Sequence, residues 1–413
     1  MLITNIKGLV GTHPKENKVL RGQQLNNLPV LENAWLLIED GLIKDFGEMH
    51  SIPSSISNLP VSINAEGRYI LPTWVDSHTH IVFAASREEE FVMKIEGKKY
   101  EEIAAAGGGI LNSANKLERA SEEELFQSAS KRLKSMIAMG TGAIEIKSGY
   151  GLTVANELKM LRVIKRLKAS FPIPIKATLL AAHTYPAKFK NNHQGYIKEI
   201  IEELLPKVAD EGLADYMDVF CEQGFFSVEE TDQLLVAAAK YGLKPKIHAN
   251  QLSVSGGVQV AVKNEAISVD HLEETDNDVL QCLGESLTIA TLLPSCSFYL
   301  NIPFANARGL INANATVALA SDYNPGSTPS GNMNFVVSLA CIKLKMMPEE
   351  AINAATLNAA AALELSHDMG SIAIGKKANF FITKPIPSFA FLPYSFGEHQ
   401  IETVILNGEV YNG

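Results

Sequence analysis

Short apolar runs alternate with longer amphipathic segments through the middle of the chain, and this alternation predicts strands separated by helices. The first run covers residues 71–83, and the later strand candidates are residues 142–147, 175–182, 216–222, 244–249, 266–271, 287–293 and 316–321. Capping-box sequences at Ser121 and Ser227 predict two helix starts, and a last helix is predicted over residues 332–345. Eight strands in this rhythm predict an α/β fold, a (β/α)8 TIM-like barrel, with a doubly wound open sheet as the structural alternative.

Both ends of the chain have a different pattern, made of short strands and tight turns. Asp40-Gly41 and Asn407-Gly408 each lie between apolar runs, which is typical of two-residue hairpin turns. The β/α rhythm stops after Leu363. We therefore expect residues 1–70 and 364–413 to form one small β-domain, a β-sandwich, beside a barrel of residues 71–363.

Composition narrows the class of protein. The chain has 413 residues, of which 46% are hydrophobic, so it can bury a large core. A net charge of −10 argues against nucleic acid as a partner, and no apolar run is long enough for a membrane span. The N-terminus has no pattern of an export signal, and four irregularly spaced cysteines are typical of reduced thiols. These features predict a cytoplasmic location.

The run at residues 71–83 contains two histidines, His78 and His80, among apolar and β-branched residues. If this run is a strand, side chains two apart point to the same side, so both imidazoles face one space. Two imidazoles on one face are a common start for a metal site. The alternative for this stretch alone is a pair of structural histidines.

Further polar residues lie at the ends of later predicted strands. His248 ends the fifth strand, His271 ends the sixth, and Asp322 follows the eighth. In a barrel, the C-terminal ends of the strands meet at one mouth, where active sites are built. Four histidines and an aspartate at the same mouth predict metal binding.

These residues and several motifs resemble the amidohydrolase superfamily over nearly the whole chain. Residues 370–379 near the C-terminus add to this resemblance. The segments with a closer match are residues 107–110, 145–152, 182–184, 248–252 and 322–327. These segments are similar to those of superfamily members that act in histidine degradation. The substrate of those members is a cyclic amide with a carboxylate tail, and the reaction opens its ring. The resemblance implies a metal-dependent hydrolase that acts on a small molecule.

The resemblance also implies how the metal is held. One divalent ion, zinc or iron, would be bound by His78, His80, His248 and Asp322, with a position left for water. Asp322 would also take the proton of that water, and His271 would help to stabilise the oxyanion. Dinuclear relatives carry a bridging lysine on the fourth strand, which is absent from residues 216–222 here, so we expect one metal.

Substrate contacts follow from the same resemblance. It assigns Arg87 to the carboxylate tail, which suits a guanidinium fork, and it assigns further contacts to Tyr150, His183, Gln251, Asn324, Gly326 and Ser327. From the residues alone, Arg87 would instead pair with the acidic residues 88–90 at the surface. The glycines at 107–109 are either a flexible connection or part of a lid made by residues 84–119.

Three further expectations complete the sequence-based account. Glu145 and Lys147 are two residues apart in a predicted strand, so their side chains point to the same side. They should form a buried ion pair that supports the site. A homodimer is expected. Two rival functions remain: a ring deaminase, whose members carry a glutamate where Gln251 stands, and a non-catalytic scaffold, whose members have lost metal ligands.

Overall fold

The computed structural model of the chain describes residues 1–98, 102 and 108–413. In this part of the chain the strands are β1 (Leu2–Val10), β2 (Val30–Glu39), β3 (Leu42–Glu48), β4 (Ile63–Asn64), β5 (Tyr69–Pro72), β6 (Trp74–Asp76), β7 (Thr141–Lys147), β8 (Ile175–Ala182), β9 (Tyr216–Cys221), β10 (Lys244–Ala249), β11 (Ser268–His271), β12 (Ile289–Leu292), β13 (Thr316–Leu319), β14 (Phe380–Thr383), β15 (Ile401–Leu406) and β16 (Glu409–Val410). They form two sheets of eight strands each.

The helices of the described residues lie mostly between the strands β6 to β13 and after them. The α-helices are Ser54–Ser57, Glu88–Ile95, Ile110–Arg119, Glu122–Ala138, Val154–Ser170, His193–Glu199, Leu205–Asp210, Val228–Ala239, Gly257–Lys263, Asn277–Glu285, Pro294–Leu300, Ala307–Asn312, Met333–Ile342, Pro348–Asn353, Ala359–Ala361 and Phe391–Tyr394. The 3-10 helices are Gly22–Asn26, Met49–Ser51 and Ala187–Phe189, and the π-helices are Ile200–Leu204 and Ala354–Asn358. No helix in the described ranges combines the length and the apolar character needed to cross a bilayer.

The strands β6 to β13 follow one another in chain order, and each pairs in parallel with its neighbours. The predicted α/β barrel is confirmed, and the open-sheet alternative is wrong. The ring closes just beyond the first and last strands. There Asp322 donates its N–H to the carbonyl of His78 at 3.0 Å, and His80 donates to the carbonyl of Tyr323 at 2.9 Å. The segments that close the barrel are thus those that hold predicted metal ligands.

Both chain ends contribute to the second sheet, whose strand order is β16-β15-β14-β5-β1-β2-β3, with β4 on β1. Its apolar core includes Ile3, Leu36, Ile70, Phe380 and Ile405, which are buried. Strands from sequence positions that far apart pair because each supplies an apolar face to the same core. The two predicted hairpins are confirmed, β2–β3 and β15–β16.

Two predicted helix starts are confirmed as well. The hydroxyl of Ser121 accepts from the N–H of Glu124 at 3.2 Å, and the hydroxyl of Ser227 accepts from the N–H of Glu230 at 3.2 Å. Each hydroxyl satisfies a backbone donor that the first turn of a helix leaves free. Asn332 caps the predicted last helix, which ends at Ile342 rather than Lys345.

The first barrel strand is shorter than its sequence suggests, and the prediction that His78 and His80 lie in a strand is wrong. The strand ends at Asp76, and both histidines lie in the segment after it. Polar side chains end the ladder: Asp76 accepts from the N–H and hydroxyl of Ser321 at 2.9 and 2.6 Å. The hydroxyl of Thr79 donates to the carbonyl of Glu145 at 2.6 Å. The segment is therefore fixed by side chains, and the histidines still face one space.

Candidate active site

A compact group of buried imidazoles lies at the C-terminal mouth of the barrel. The Nε2 atoms of His78 and His80 are 3.3 Å apart, and each lies 3.5 Å from Oδ1 of Asp322. Donor atoms of His78, His248 and His271 also lie within 4.8 Å of one another. The structure thus brings together the five residues whose convergence was predicted from the strand ends.

The donor atoms of this group fit a divalent cation. Nε2 of His248 is buried and has no hydrogen-bond partner among the described residues. The Nε2 atoms of His78 and His80 face each other at 3.3 Å, and one cation beside them would accept both lone pairs. Imidazole nitrogens and one carboxylate are the ligands of catalytic zinc and non-haem iron sites.

Two carboxylates behind the imidazoles orient the rings. Oδ2 of Asp270 lies 2.7 Å from Nδ1 of His78, and Oδ2 of Asp218 lies 2.9 Å from Nδ1 of His248. Nδ1 of His78 is hydrogen-bonded to Asp270, so the lone pair of its Nε2 faces the site, which is the tautomer that binds a metal. Nδ1 of His248 lies within ion-pair distance of Asp218 without the geometry of a hydrogen bond. Burial lowers the pKa of His78 well below its ordinary value, with Lys147 adding to the effect, so the ring is neutral.

His271, the last residue of β11, and Asp322, in the loop after β13, have positive φ angles of +89° and +55°. Such conformations are costly for residues with a side chain and cluster at functional sites. Nδ1 of His271 lies 3.5 Å from the Glu273 carboxylate. Burial lowers the pKa of His271, but the carboxylates of Glu273, Asp322 and Asp270 together outweigh it and raise the pKa overall. Burial raises the pKa of Asp322, against the opposing effect of His271 and His248.

Arg87 lies at the edge of the mouth, directly before the helix Glu88–Ile95. Its Nε donates to the hydroxyl of Ser113 at 2.9 Å, and its guanidinium carbon is 5.9 Å from the ring centroid of Tyr150. Glu90 is 3.9 Å away, so the acidic pairing expected from the residues alone is also present. The Arg87 side chain is 13% exposed, which is more buried than a surface ion pair requires.

Aromatic rings connect Arg87 with the metal-binding group. The ring centroids of Tyr150 and His80 are 6.0 Å apart, and His183 stacks on His80 with centroids 5.6 Å apart. Nδ1 of His183 lies 3.3 Å from the carbonyl of Gly149. Burial lowers the pKa of His183 to about 3, so the ring is neutral and can present its other nitrogen to a ligand.

The loop after β13 is organised by the side chain of Asn324. Its Oδ1 accepts from the N–H groups of Gly326 and Ser327, both at 2.8 Å, and its Nδ2 donates to the carbonyl of Asp322 at 2.8 Å. The hydroxyl of Ser327 donates to Oδ2 of Asp322 at 3.2 Å. Asn324 therefore holds the loop in shape, while Ser327 contacts the predicted metal ligand directly.

Gln251 lies in the loop after β10, where its backbone N–H donates to Glu222 at 3.0 Å. Its side-chain amide contacts only a sulfur among the described residues, Sγ of Cys296 at 3.5 Å. The amide is partly exposed and available to a ligand.

Part of the predicted lid lies outside the described residues, namely residues 99–101 and 103–107, including Gly107. Gly109 is described and directly precedes the helix Ile110–Arg119. Its N–H donates to Oε1 of Glu90 at 2.9 Å, which joins this helix to the helix that follows Arg87.

Sequence reasoning missed the carboxylates that hold the site in place. Asp218 and Asp270 orient ligands, and Glu157 accepts from the N–H groups of Gly149, Gly151 and Leu152 at 3.1, 2.7 and 2.9 Å. Acidic residues in apolar strands, such as 216–221 and 268–271, were the available signal, because buried carboxylates need partners.

Comparisons with known proteins agree with this geometry. The profile of the amidohydrolase family matches residues 69–411. The imidazolonepropionase of Christiangramia forsetii is 54% identical over 410 residues, covering 99% of both chains, and that of Flavobacterium johnsoniae is 54% identical over 409 residues, also covering 99% of both. Among solved structures, 5-methylcytosine deaminase from Klebsiella pneumoniae has a TM-score of 0.74 at 17% identity, covering 99% of this chain and 97% of its own. At that identity the last likeness is one of fold.

Proposed function

Because the chain belongs to the amidohydrolase family, and to the imidazolonepropionases within it, we propose that it hydrolyses the cyclic amide of 4-imidazolone-5-propanoate. A water oxygen adds to the ring carbonyl carbon, and the bond from that carbon to the ring nitrogen breaks. The nitrogen takes up a proton, and the product is N-formimidoyl-L-glutamate. This is the third step of histidine degradation.

The main observation in favour of this activity is that a metal-binding group and a carboxylate-binding group lie at the same mouth of the barrel. Three imidazoles and a carboxylate suited to a metal lie beside a partly buried guanidinium suited to a carboxylate tail. Tyr150 lies between the two groups, 5.9 Å from the guanidinium of Arg87 and 6.0 Å from the ring of His80. A small ring with a short anionic tail can use both groups, the metal ligands at its carbonyl and the guanidinium at its tail.

We propose His78, His80, His248 and Asp322 as the ligands of one divalent metal, zinc or iron. When bound there, such an ion supplies Lewis acidity, which lowers the pKa of water and polarises a carbonyl. The absence of a lysine from β9 favours one ion per chain over two. Elemental analysis of the purified protein tests this, since about one equivalent of metal is expected.

Asp322 is the proposed proton acceptor. Its Oδ2 accepts from the hydroxyl of Ser327 at 3.2 Å, whereas its Oδ1 faces the imidazoles of His78 and His80. A buried carboxyl with a raised pKa holds a proton more readily than an exposed one, so it can take the proton of water and return it to the leaving nitrogen.

His271 is the proposed stabiliser of the oxyanion that develops on the ring carbonyl. The Glu273 carboxylate at 3.5 Å raises the pKa of His271, which favours an imidazole that donates a hydrogen bond. A donor that is held in position before the reaction stabilises the developing charge without reorganisation.

We assign the substrate's carboxylate tail to Arg87, and further substrate contacts to Tyr150, His183, Gln251, Asn324, Gly326 and Ser327. Arg87 is held by Ser113 through Nε, which leaves the two terminal nitrogens for a bidentate contact. A substrate held at both its tail and its carbonyl has its reacting carbon fixed in position.

The direct test is to incubate the metal-loaded protein with 4-imidazolone-5-propanoate and to identify the product by mass spectrometry. We expect ring opening with the gain of one water and no release of ammonia. A parallel incubation with cytosine and guanine tests the deaminase alternative. Ammonia release from those rings, with 4-imidazolone-5-propanoate left intact, would contradict the proposal.

The sequence also leads to proposals about the domains, the oligomeric state and the location of the protein. We propose a small β-domain of residues 1–70 and 364–413 beside a barrel domain of residues 71–363, a homodimer in solution, and a cytoplasmic location. Expression of residues 71–363 alone tests the first, sedimentation velocity the second, and cell fractionation the third.

A further inference from the structure

Five ionisable side chains are buried together inside the barrel, behind the proposed metal ligands. They are Glu145, Lys147, Asp218, Lys246 and Asp270, and each is 0% exposed. They lie on the strands β7, β9, β10 and β11. Buried charges of this number persist only when they are paired with one another, because removal from water is costly.

Lys147 is the member that contacts all three carboxylates. Its Nζ lies 2.7 Å from Oε1 of Glu145, 2.7 Å from Oδ2 of Asp218 and 3.6 Å from Oδ2 of Asp270. Burial lowers the pKa of Lys147, but the carboxylates of Asp218, Glu145 and Asp270 outweigh it and raise the pKa overall. The side chain is therefore a cationic ammonium.

The same carboxylate oxygens that face Lys147 also face two imidazoles. Oδ2 of Asp218 lies 2.9 Å from Nδ1 of His248, and Oδ2 of Asp270 lies 2.7 Å from Nδ1 of His78. One carboxylate oxygen therefore lies between the ammonium of Lys147 and each of the two proposed metal ligands, His248 and His78. The second oxygens of these carboxylates are held by the N–H of His248 at 3.1 Å and by the hydroxyl of Ser268 at 2.6 Å.

We infer that Lys147 is a positioning residue that couples His78 to His248 through Asp270 and Asp218. The ammonium offsets the repulsion between two carboxylates that would otherwise share a buried space, and it fixes the direction of each. The carboxylates then hold the two rings, through a hydrogen bond at His78 and through the close charge of Asp218 at His248, so that both Nε2 lone pairs are preorganised for one cation. This inference rests on the ligand set proposed above.

Lys246 provides a matched control within the same cluster. It is equally buried, and its Nζ pairs with Glu145 and donates to the carbonyl of Ser77 at 3.0 Å. Its Nζ has no ion pair with Asp218 or Asp270, both of which lie in the described part of the chain. Removal of its charge therefore disturbs the cluster without releasing the carboxylates that hold the histidines.

The experiment compares Lys147→Met with Lys246→Met and with the unchanged protein. Metal is removed from each with a chelator, zinc affinity is measured by competition with a chromophoric chelator, and unfolding of the metal-free proteins is followed in denaturant. Both substitutions should lower stability. Lys147→Met should lower zinc affinity by roughly 10- to 100-fold, the range for partners that orient ligands, and Lys246→Met should lower it much less. Equal losses of affinity in the two variants would overturn the inference.

A second set of variants serves if Lys147→Met does not fold. Asp218→Asn and Asp270→Asn keep the shape of the side chains and remove one carboxylate each. Because both carboxylates meet at Lys147, the double variant should lose less zinc affinity than the product of the two single losses. Independent, multiplicative losses would mean that no coupling passes through Lys147.

The outcomes separate this inference from the proposed function. If the unchanged metal-free protein binds no zinc, the ligand set itself is wrong. If it binds one equivalent and Lys147→Met binds zinc equally well, the ligand set stands and only the positioning role of Lys147 fails.

Discussion

Gly326 lies directly against the guanidinium of Arg87: a Cβ added to Gly326 would come 2.5 Å from Nη1 of Arg87. Real Cβ atoms do not approach other atoms so closely, so a side chain at 326 and the observed position of Arg87 exclude each other. The glycine therefore sets the position of the cation that we assign to the substrate's tail.

Gly326→Ala should displace Arg87 and raise KM while metal content stays unchanged. A charge-assisted hydrogen bond contributes about 1.5–3 kcal/mol, so loss of the contact should raise KM by roughly tenfold or more. Gly397→Ala is the control, because an added Cβ there meets nothing within 4 Å. Steady-state kinetics and elemental analysis of both variants measure the effect, and an unchanged KM in Gly326→Ala would separate Arg87 from substrate binding.

Arg87→Lys should likewise raise KM, because a lysine ammonium cannot make the two parallel contacts of a guanidinium fork. Metal content should remain at the level of the unchanged protein. The exposed Arg119 offers the matching control, Arg119→Lys, which should behave like the unchanged protein. A substrate analogue without the carboxylate should bind the unchanged protein and Arg87→Lys with equal affinity. If the variant binds this analogue more weakly as well, Arg87 does not act on the carboxylate tail.

Asp322→Asn should remove nearly all turnover, because one substitution removes both the proposed proton acceptor and a metal ligand. Loss of proton transfer alone typically costs about 10²–10⁴-fold, and the loss should exceed that range because metal affinity also falls. Rate and metal content have to be measured on the same preparation. Full metal content with substantial turnover would show that another residue accepts the proton.

Substitutions of Gln251 test whether the site can act as a deaminase, because deaminases carry a glutamate at this position. Gln251→Ala should mainly raise KM, since the amide offers a hydrogen bond to ground state and transition state alike. Gln251→Glu should confer no ammonia release from cytosine or guanine, because the site is built around a guanidinium for an anionic tail. A loss of kcat in Gln251→Ala, with KM and metal content intact, would mean that the assignment of proton transfer to Asp322 is wrong.

His13 should make stability depend on pH. It is 2% exposed, and burial lowers its pKa, against the opposing effect of its 2.9 Å contact with Oδ1 of Asn353. As pH falls through about 6.5, the unfolded chain takes up a proton that the folded chain does not. The free energy of unfolding should therefore fall with pH, by up to about 1.4 kcal/mol per pH unit from this residue.

Denaturant unfolding of the unchanged protein and of His13→Gln at pH 7, 6 and 5 measures this contribution. The stability of His13→Gln relative to the unchanged protein should rise as pH falls. A constant difference for His13→Gln across these values would refute the assignment.

The barrel and its chemical groups could be predicted from sequence because both depend on local patterns. Apolar runs at regular spacing specify the strands, and His248, His271 and Asp322 lie at the strand ends, where the fold gathers them. The buried pairing of Glu145 with Lys147 was also predicted and is confirmed at 2.7 Å.

What could not be predicted depends on contacts between distant segments. At Asp76, where the first strand ends, the carboxylate bonds to Ser321 from the loop after the last strand. Asp218 and Asp270 become partners of imidazoles only when the strands β9, β10 and β11 stand next to the segment after β6. Alternation along one strand predicts which side of the sheet a side chain faces, but it does not predict which residue of another strand the side chain contacts.

The central claim is that one metal ion, held at the mouth of this barrel, is needed to open the ring of 4-imidazolone-5-propanoate. The most direct measurement is to strip the protein with a chelator and to add back zinc or iron in fractions of an equivalent while the rate of ring opening is followed. We expect no turnover without metal and a linear rise that stops at about one ion per chain. A rate that survives complete removal of metal, or that keeps rising to two ions per chain, would contradict the claim.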